Sequence, residues 1–168
     1  MTRPQILIAG VGNIFMGDDA FGSEVARRLA ERIPPDKARV VDFGVRGFDL
    51  ACALMDGYEV TILVDATPRG GAPGALYVIE PDLNELDASN SEETMIDAHG
   101  LNPMKALGLV NAMGGEFKRI LLVGCEPATI GADEEQMGLS EPVRASVDEA
   151  VTLIESLISE HARTFHLH

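Results

Sequence analysis

Short apolar segments alternate along the chain with segments of helical character. The strand-like segments are residues 5–10, 39–43, 60–64, 75–80 and 119–124. Apolar runs of this length, several of them closed by glycine, are typical of strands that are buried on both faces of a sheet. The alternation of such strands with helices predicts a layered α/β domain.

The helices are predicted over residues 19–33, 48–55, 102–113 and 140–160. The first carries apolar residues at four-residue steps and stops before Pro34, which cannot continue a helix. The third begins at Asn102, a capping residue, and ends at Gly114. The last has an apolar face along most of its length, so we expect it to pack against the sheet.

The connection over residues 67–74 is rich in glycine and proline and is too short for a helical crossover. We therefore predict that strand 75–80 runs antiparallel at an edge of the sheet. Residues 81–98 hold six acids and no basic residue, and we interpret them as an irregular loop. The predicted fold is a single domain over residues 1–168, a three-layer α/β/α fold with a mixed, mostly parallel five-stranded sheet.

The charge of the chain limits its partners. It has 168 residues, with 13 Lys+Arg against 27 Asp+Glu and a formal net charge of -14. Nucleic acids and anionic membranes attract basic surfaces, so we expect neither as a partner. No apolar run reaches the ~18 residues of a membrane span, and the first residues do not follow the pattern of a signal peptide. Cys52 and Cys125 form no CxxC pair, which fits a reducing, cytoplasmic location.

A glycine cluster, Gly10-Val-Gly12, follows the first strand. It is similar to a dinucleotide-binding turn, but Phe15 stands where that pattern needs its third glycine. Asp18 and Asp19 would repel a pyrophosphate at the start of the next helix, so a nucleotide-binding domain is the less favoured alternative. A carboxylate that caps the helix explains one of these two aspartates but not both.

Asp65 directly follows the third predicted strand, at the carboxyl edge where open α/β sheets bind ligands. A turn-capping role is equally consistent with this position. If strand 75–80 is antiparallel, the acidic loop must return to the same edge and bring His99 near Asp19 and Asp65. Two carboxylates and one imidazole form a nitrogen and oxygen ligand set for a divalent metal, with coordination positions left open.

Four segments of the chain resemble the signature segments of the [NiFe]-hydrogenase maturation endopeptidases. They are residues 10–22 (GVGNIFMGDDAFG), 63–66 (LVDA), 98–100 (AHG) and 124–127 (GCEP), in the order found in that family. The similarity extends over about residues 5–158. It implies an aspartyl-type endopeptidase that removes the C-terminal extension of a nickel-loaded hydrogenase large-subunit precursor. That precursor would be its partner, and we expect the protease to be monomeric.

The resemblance also implies which residues contact the metal. The matching positions are Asp19, Asp65 and His99, although the first is commonly a glutamate in the family. The nickel ion would be supplied by the precursor rather than held permanently. Asp42 matches an aspartate that follows the family's second strand, and we predict either a catalytic role, in ligand holding or proton transfer, or a strand-end cap.

Three further positions bear on this resemblance. Val45 replaces the threonine of the family pattern, and Arg46 departs from that pattern at a place that bears on which precursor is accepted. Glu126 is either part of the site or a turn residue before Pro127. The roles of Arg46 and Glu126 stay open at this point.

The implied chemistry is metal-assisted hydrolysis of an amide. A bound metal polarises a carbonyl or activates a water molecule, and a carboxylate can act instead as the general base. Neither cysteine has an obvious histidine partner, so we do not expect a cysteine nucleophile. The alternative function is a non-catalytic nickel-binding chaperone for hydrogenase assembly.

Overall fold

One sheet forms the centre of the protein. The computed structural model describes residues 4–13, 17–81, 103–128 and 138–166. The strands in these residues are β1 Ile6–Val11, β2 Arg39–Gly44, β3 Val60–Ala66, β4 Leu76–Ile79 and β5 Arg119–Cys125, in the order β2-β1-β3-β5-β4. All neighbouring strands are parallel except β4, which runs antiparallel to β5 at the edge. The predicted mixed sheet and its antiparallel edge strand are confirmed.

Helices cover both faces of this sheet. Within the described residues they are α1 Phe21–Arg32, α2 Gly47–Leu54, α3 Pro103–Ala112 and α4 Glu141–His166, and a 3-10 turn, Asp18–Ala20, precedes α1. Helices α1 and α4 pack on one face, and α2 and α3 pack on the other. This arrangement confirms the three-layer α/β/α fold.

The alternation of side chains along the strands builds two separate cores. In β1, Ile6 and Ile8 pack with α1 and α4, whereas Leu7 and Ala9 pack with α2 and α3. Successive side chains of a strand point to opposite faces, so a strand covered on both faces must be apolar throughout. This requirement explains the uninterrupted apolar runs in the sequence.

Two glycines allow α1 to lie directly against the sheet. A Cβ atom at Gly10 would lie 2.4 Å from the carbonyl oxygen of Gly22, and one at Gly22 would lie 2.2 Å from that of Val64. No larger residue fits at either position without moving the backbone. The close packing brings the 3-10 turn to the carboxyl ends of β1 and β3.

Several element ends differ by one or two residues or more from the sequence predictions, and two of these differences have a clear physical cause. Strand β3 continues through Asp65 to Ala66, because the Thr67 amide donates to the Cys125 carbonyl at 2.8 Å and prolongs the ladder. Helix α4 runs past the predicted end at residue 160 to His166, since neither glycine nor proline interrupts it. The predicted acidic loop after Pro81 lies outside the described residues. Among the helices that are described, none has the length and apolar character needed to cross a membrane.

Candidate active site

Asp19 and Asp65 come together at the carboxyl edge of the sheet. Asp19 belongs to the 3-10 turn that links β1 to α1, and Asp65 is the next-to-last residue of β3. Because β1 and β3 are parallel neighbours, both carboxylates approach from the same edge. The charge of Asp19 helps to raise the pKa of Asp65, which places the two groups within electrostatic reach. Two of the three predicted metal ligands are therefore adjacent.

Asp65 is a buried carboxylate with little to compensate its charge. Only 8% of its surface is exposed, and its Oδ1 atom has no hydrogen-bond partner among the described residues. Burial, followed by repulsion from Asp19, raises the pKa of Asp65 well above its usual value, and the backbone amide of Ala66 opposes this shift only partly. Such a group favours a proton or a bound cation over an isolated negative charge.

Asp19 is half-buried, and the backbone around it is closely packed. Its Oδ2 atom accepts a hydrogen bond of 2.8 Å from the Asn13 amide. Burial raises the pKa of Asp19, and this hydrogen bond acts in the opposite direction. A Cβ atom at Gly12, whose φ is 140°, would lie 1.9 Å from the Asp19 carbonyl oxygen. The chain's own turn therefore occupies the space beside this glycine, which argues against the nucleotide-binding alternative.

The neighbouring Asp18 has a different environment. It is fully buried, and its Oδ1 accepts a hydrogen bond of 2.6 Å from the Ser140 amide. Its Oδ2 accepts two of 2.8 Å, from the Ser140 hydroxyl and the Ala128 amide. Asp18 thus ties the β1–α1 connection to the segment after β5 and to the start of α4. No local sequence pattern indicates this role, because both partners lie more than 100 positions away in the chain.

Asp42 lies exposed at the end of β2. Its Oδ1 accepts hydrogen bonds from the Ser23 hydroxyl at 2.7 Å and the Gly44 amide at 3.0 Å. The Gly44 carbonyl in turn accepts from the Gly12 amide at 2.9 Å. Asp42 therefore caps the strand end, as one of its two predicted roles requires, and it connects through two glycines to the turn that carries Asp19. A catalytic role for Asp42 stays a prediction.

Glu126 holds the connection between β3 and β4. Its buried Oε1 accepts hydrogen bonds from the amides of Arg69 at 2.9 Å and Gly71 at 2.8 Å and from the Tyr77 hydroxyl at 2.7 Å. The Tyr77 hydrogen bond is the first cause of a lowered pKa for Glu126. These contacts favour a structural role for Glu126, as a turn residue, over a role in the site.

The other candidates at this edge also support the backbone. Arg46 donates to the carbonyl oxygens of Asp42 at 2.7 Å and Phe43 at 3.1 Å, and so holds the turn between β2 and α2.

Burial raises the pKa of the Cys125 thiol to about 11, which keeps it protonated and unsuited to nucleophilic attack. Cys52 is exposed on α2, away from the carboxyl edge.

The third predicted ligand, His99, lies outside the described residues. In the described ranges, no group of three or more histidine, cysteine, aspartate or glutamate side chains has an arrangement suited to a metal ion. Asp19 and Asp65 therefore form a pair, and the contribution of His99 stays a prediction. A pair of carboxylates at a sheet edge can bind a cation whose other ligands come from a substrate.

Comparison with known proteins shows similarity to hydrogenase maturation proteases along most of the chain. Residues 23–157 match the family described as hydrogenase maturation protease. A protein of Methanocaldococcus jannaschii, provisionally named a hydrogenase maturation protease, is 33% identical over 92% of this chain and 96% of its own length.

Two crystal or solved structures of such proteins share the fold. The hydrogenase 2 maturation peptidase of a Thaumarchaeota archaeon is 31% identical with a TM-score of 0.68, covering 92% of this chain and 98% of its own. The hydrogenase maturating endopeptidase HybD of E. coli is 25% identical with a TM-score of 0.71, covering 94% and 93%. This chain belongs to the hydrogenase maturation protease family.

Proposed function

We propose that this protein is an endopeptidase that removes the C-terminal extension of a nickel-loaded [NiFe]-hydrogenase large-subunit precursor. Membership of the hydrogenase maturation protease family supports the reaction class. The observation that carries the proposal is the buried Oδ1 of Asp65, which has no hydrogen-bond partner in the described part of the chain and lies beside a second carboxylate. The cation that this pair would bind is the nickel of the precursor.

The donor set fits nickel that arrives as part of the substrate. Burial and mutual repulsion disfavour two ionised carboxylates at this edge, and a divalent cation relieves both effects. His99 would add an imidazole, a ligand that suits nickel. A set of three protein ligands leaves coordination positions for the precursor's own groups and for water.

The side chains of this protein would divide the work of hydrolysis. Bound nickel supplies Lewis acidity toward the scissile carbonyl or a water molecule. Asp19 is oriented by the Asn13 amide, which donates to its Oδ2 and leaves Oδ1 as the oxygen that would bind the nickel. Alternatively, a carboxylate of the pair would act as the general base toward the attacking water.

The same arrangement would make cleavage depend on nickel. A nickel-free precursor leaves the two carboxylates to repel each other and offers nothing for them to bind. The scissile bond would then not be held at the edge of the sheet, and positioning contributes a large share of a rate enhancement. The protease would thus act only on precursors that have received their metal.

A cleavage assay on the large-subunit precursor from the same organism tests this proposal. Nickel-loaded and nickel-free precursors are incubated with the wild-type protein, and loss of the C-terminal peptide is followed by mass spectrometry. Parallel reactions contain Asp19→Ala, Asp65→Ala or His99→Ala. Asp36→Ala is the matched control, because Asp36 is an exposed acid at the opposite edge of the sheet.

We expect cleavage of the loaded precursor only, with a loss of at least about 100-fold in each site variant and none in the control. Equal cleavage of the nickel-free precursor would overturn the proposed dependence on nickel. A loaded precursor that binds the protein but stays whole would instead establish the chaperone alternative.

A further inference from the structure

A cavity of about 440 Å³ opens next to Asp42 and to Ala20, the residue that follows Asp19, between α1, the end of β2 and the start of α4. We call it the arginine cavity, after the charged side chains that line it: Arg27, Arg28, Arg144, Glu24 and Asp42. Three guanidinium groups thus converge in a chain that has only 13 basic residues and a net charge of -14. The cavity therefore collects guanidinium groups on a protein that is acidic overall.

The two carboxylates of the arginine cavity are already engaged. Glu24 forms ion pairs with Arg27 and with Arg28, the latter at 3.4 Å. Asp42 accepts hydrogen bonds from the hydroxyl of Ser23 and the amide of Gly44. Arg28 also forms an ion pair with Asp148, which lies outside the lining. Arg27 and Arg28 are therefore both paired, and one guanidinium of the lining is left without an ion-pair partner among the described residues.

Arg144 is that guanidinium. Its Nη2 atom donates to the neutral carbonyl oxygen of Leu139 at 3.2 Å, and it has no ion pair with any described residue. A guanidinium carries five N–H donors in a planar fork that matches a carboxylate. Arg144 therefore has donors left to bind an anionic group that enters the cavity.

The position of the cavity relates it to the reaction. Its lining begins at Ala20, the residue after Asp19, and continues along one face of α1 to Arg27. With a rise of about 1.5 Å per residue, Arg27 lies about 12 Å from Asp19 along the helix axis. A peptide in extended conformation covers this distance with about four residues.

We propose that the arginine cavity is the subsite for the C-terminal extension of the precursor, with Arg144 binding a carboxylate of that extension. This inference rests on the proposed function. The nickel lies in the folded body of the precursor, so the segment beyond the scissile bond is the one that must lie along the protease. The carboxylate belongs either to an acidic side chain of the extension or to the free C-terminus.

Charge makes such a subsite selective. The net negative charge of this protein repels an acidic segment, and the guanidinium of Arg144, which has no ion pair with a described residue, gives such a segment a place to bind. An arginine–carboxylate pair also fixes the orientation of the peptide, because both groups are planar and can form two parallel hydrogen bonds. Arg144 would be a specificity residue that does not touch the reacting atoms.

The test measures both equilibrium binding and cleavage of the nickel-loaded precursor. The variants are Arg144→Ala, Arg144→Glu and Arg144→Lys, and the control is Arg32→Ala, which removes the same charge from the end of α1 outside the cavity. We expect Arg144→Ala to raise Kd and KM about tenfold and Arg144→Glu about 100-fold, with kcat changed less than about threefold. Arg144→Lys keeps the charge but loses the fork, so it should recover part of the affinity.

Altered precursors identify the source of the carboxylate. One carries amides in place of the acidic side chains of the extension, and another carries a C-terminal amide. The change that weakens binding to the wild type, but not to Arg144→Ala, marks the group that Arg144 contacts.

Wild-type Kd and KM in Arg144→Glu would overturn the subsite, as would equal binding of both altered precursors and the unaltered one. Failure of the proposed function has a different signature, since the wild type would then leave the loaded precursor whole. The binding measurement still decides the role of Arg144 in that case.

Discussion

Two pairs of carboxylates at one edge of the sheet have opposite surroundings. Asp18 and Glu126 each accept hydrogen bonds from three donors, and these bonds join distant segments of the backbone. Asp65 leaves its buried Oδ1 without a partner among the described residues, and Asp19 accepts one hydrogen bond from the Asn13 amide. The number of donors, not the type of residue, separates a structural carboxylate from one that is available to a cation.

The largest effect is expected at Asp65. Its pKa is raised in the folded state, so the ionised carboxylate destabilises the metal-free protein as pH rises above the unfolded value. Asp65→Asn should therefore lower cleavage about 1000-fold and raise Tm at pH 7 by about 3 °C, the shift that ~1 kcal/mol gives in a domain of this size. Thermal unfolding in the absence of metal checks this.

The gain in Tm should vanish near pH 3, where Asp65 is protonated in both the folded and the unfolded states. Asp36→Asn, at the opposite edge, should change neither cleavage nor Tm. A lower Tm for Asp65→Asn at pH 7 would mean that the carboxylate is better compensated than its surroundings indicate.

Replacement of Asp18 should have the opposite consequence, because it should reduce the stability of the protein more than its cleavage activity. Asp18→Ala removes a buried acceptor from the Ser140 amide, the Ser140 hydroxyl and the Ala128 amide, and the free energy of unfolding should fall by about 3 kcal/mol. Urea denaturation measures this loss. Asp18→Asn keeps some acceptor capacity, so its free energy of unfolding should fall less. An equal fall in Asp36→Ala would mean that the loss does not come from the hydrogen bonds of Asp18.

Glu126 should reveal its role in the pH dependence of stability. Its pKa is lowered in the folded state, so its contribution is fully present above the unfolded value of about 4.3 and is lost as pH falls through the folded value. The decrease in Tm between pH 6 and pH 3 should be smaller in Glu126→Gln than in the wild type.

Tyr77→Phe removes the hydrogen bond that lowers the pKa of Glu126 most, and it should give an intermediate pH profile. Identical profiles for all three proteins would show that Glu126 does not hold its connection through its charge.

The smallest effect is expected for Asp42→Asn, which separates positioning from proton transfer. Asparagine keeps an oxygen that can accept from the Ser23 hydroxyl and the Gly44 amide, so a positioning role predicts a fall in kcat of no more than about threefold. Loss of proton transfer would cost about 100-fold or more. Asp42→Ala breaks both hydrogen bonds. Its kcat should be lower than that of Asp42→Asn only if Asp42 positions the turn.

A site residue is predictable from the sequence where its position along the chain alone determines its place in the fold. Asp65 was identified because it ends an apolar strand, and the carboxyl ends of parallel strands form the ligand edge. Its inclusion in β3, and with it the depth of its burial, depended on a ladder bond between Thr67 and Cys125 that no local pattern indicates. The arginine cavity is not predictable from the sequence for the same reason, since Arg27 and Arg144 are far apart in the chain.

The layers, the strands and the direction of β4 are predictable from the sequence, because the apolar period, the glycine and proline signals and the connection lengths are local properties. The positions of Asp19 and Asp65 in the chain also predict that they share one edge of the sheet. The folded structure alone shows that Asp18 accepts three hydrogen bonds while Oδ1 of Asp65 has no partner among the described residues. Hydrogen-bond donors are delivered by segments distant in the chain, and the balance between burial and those donors sets the pKa and the availability of each carboxylate.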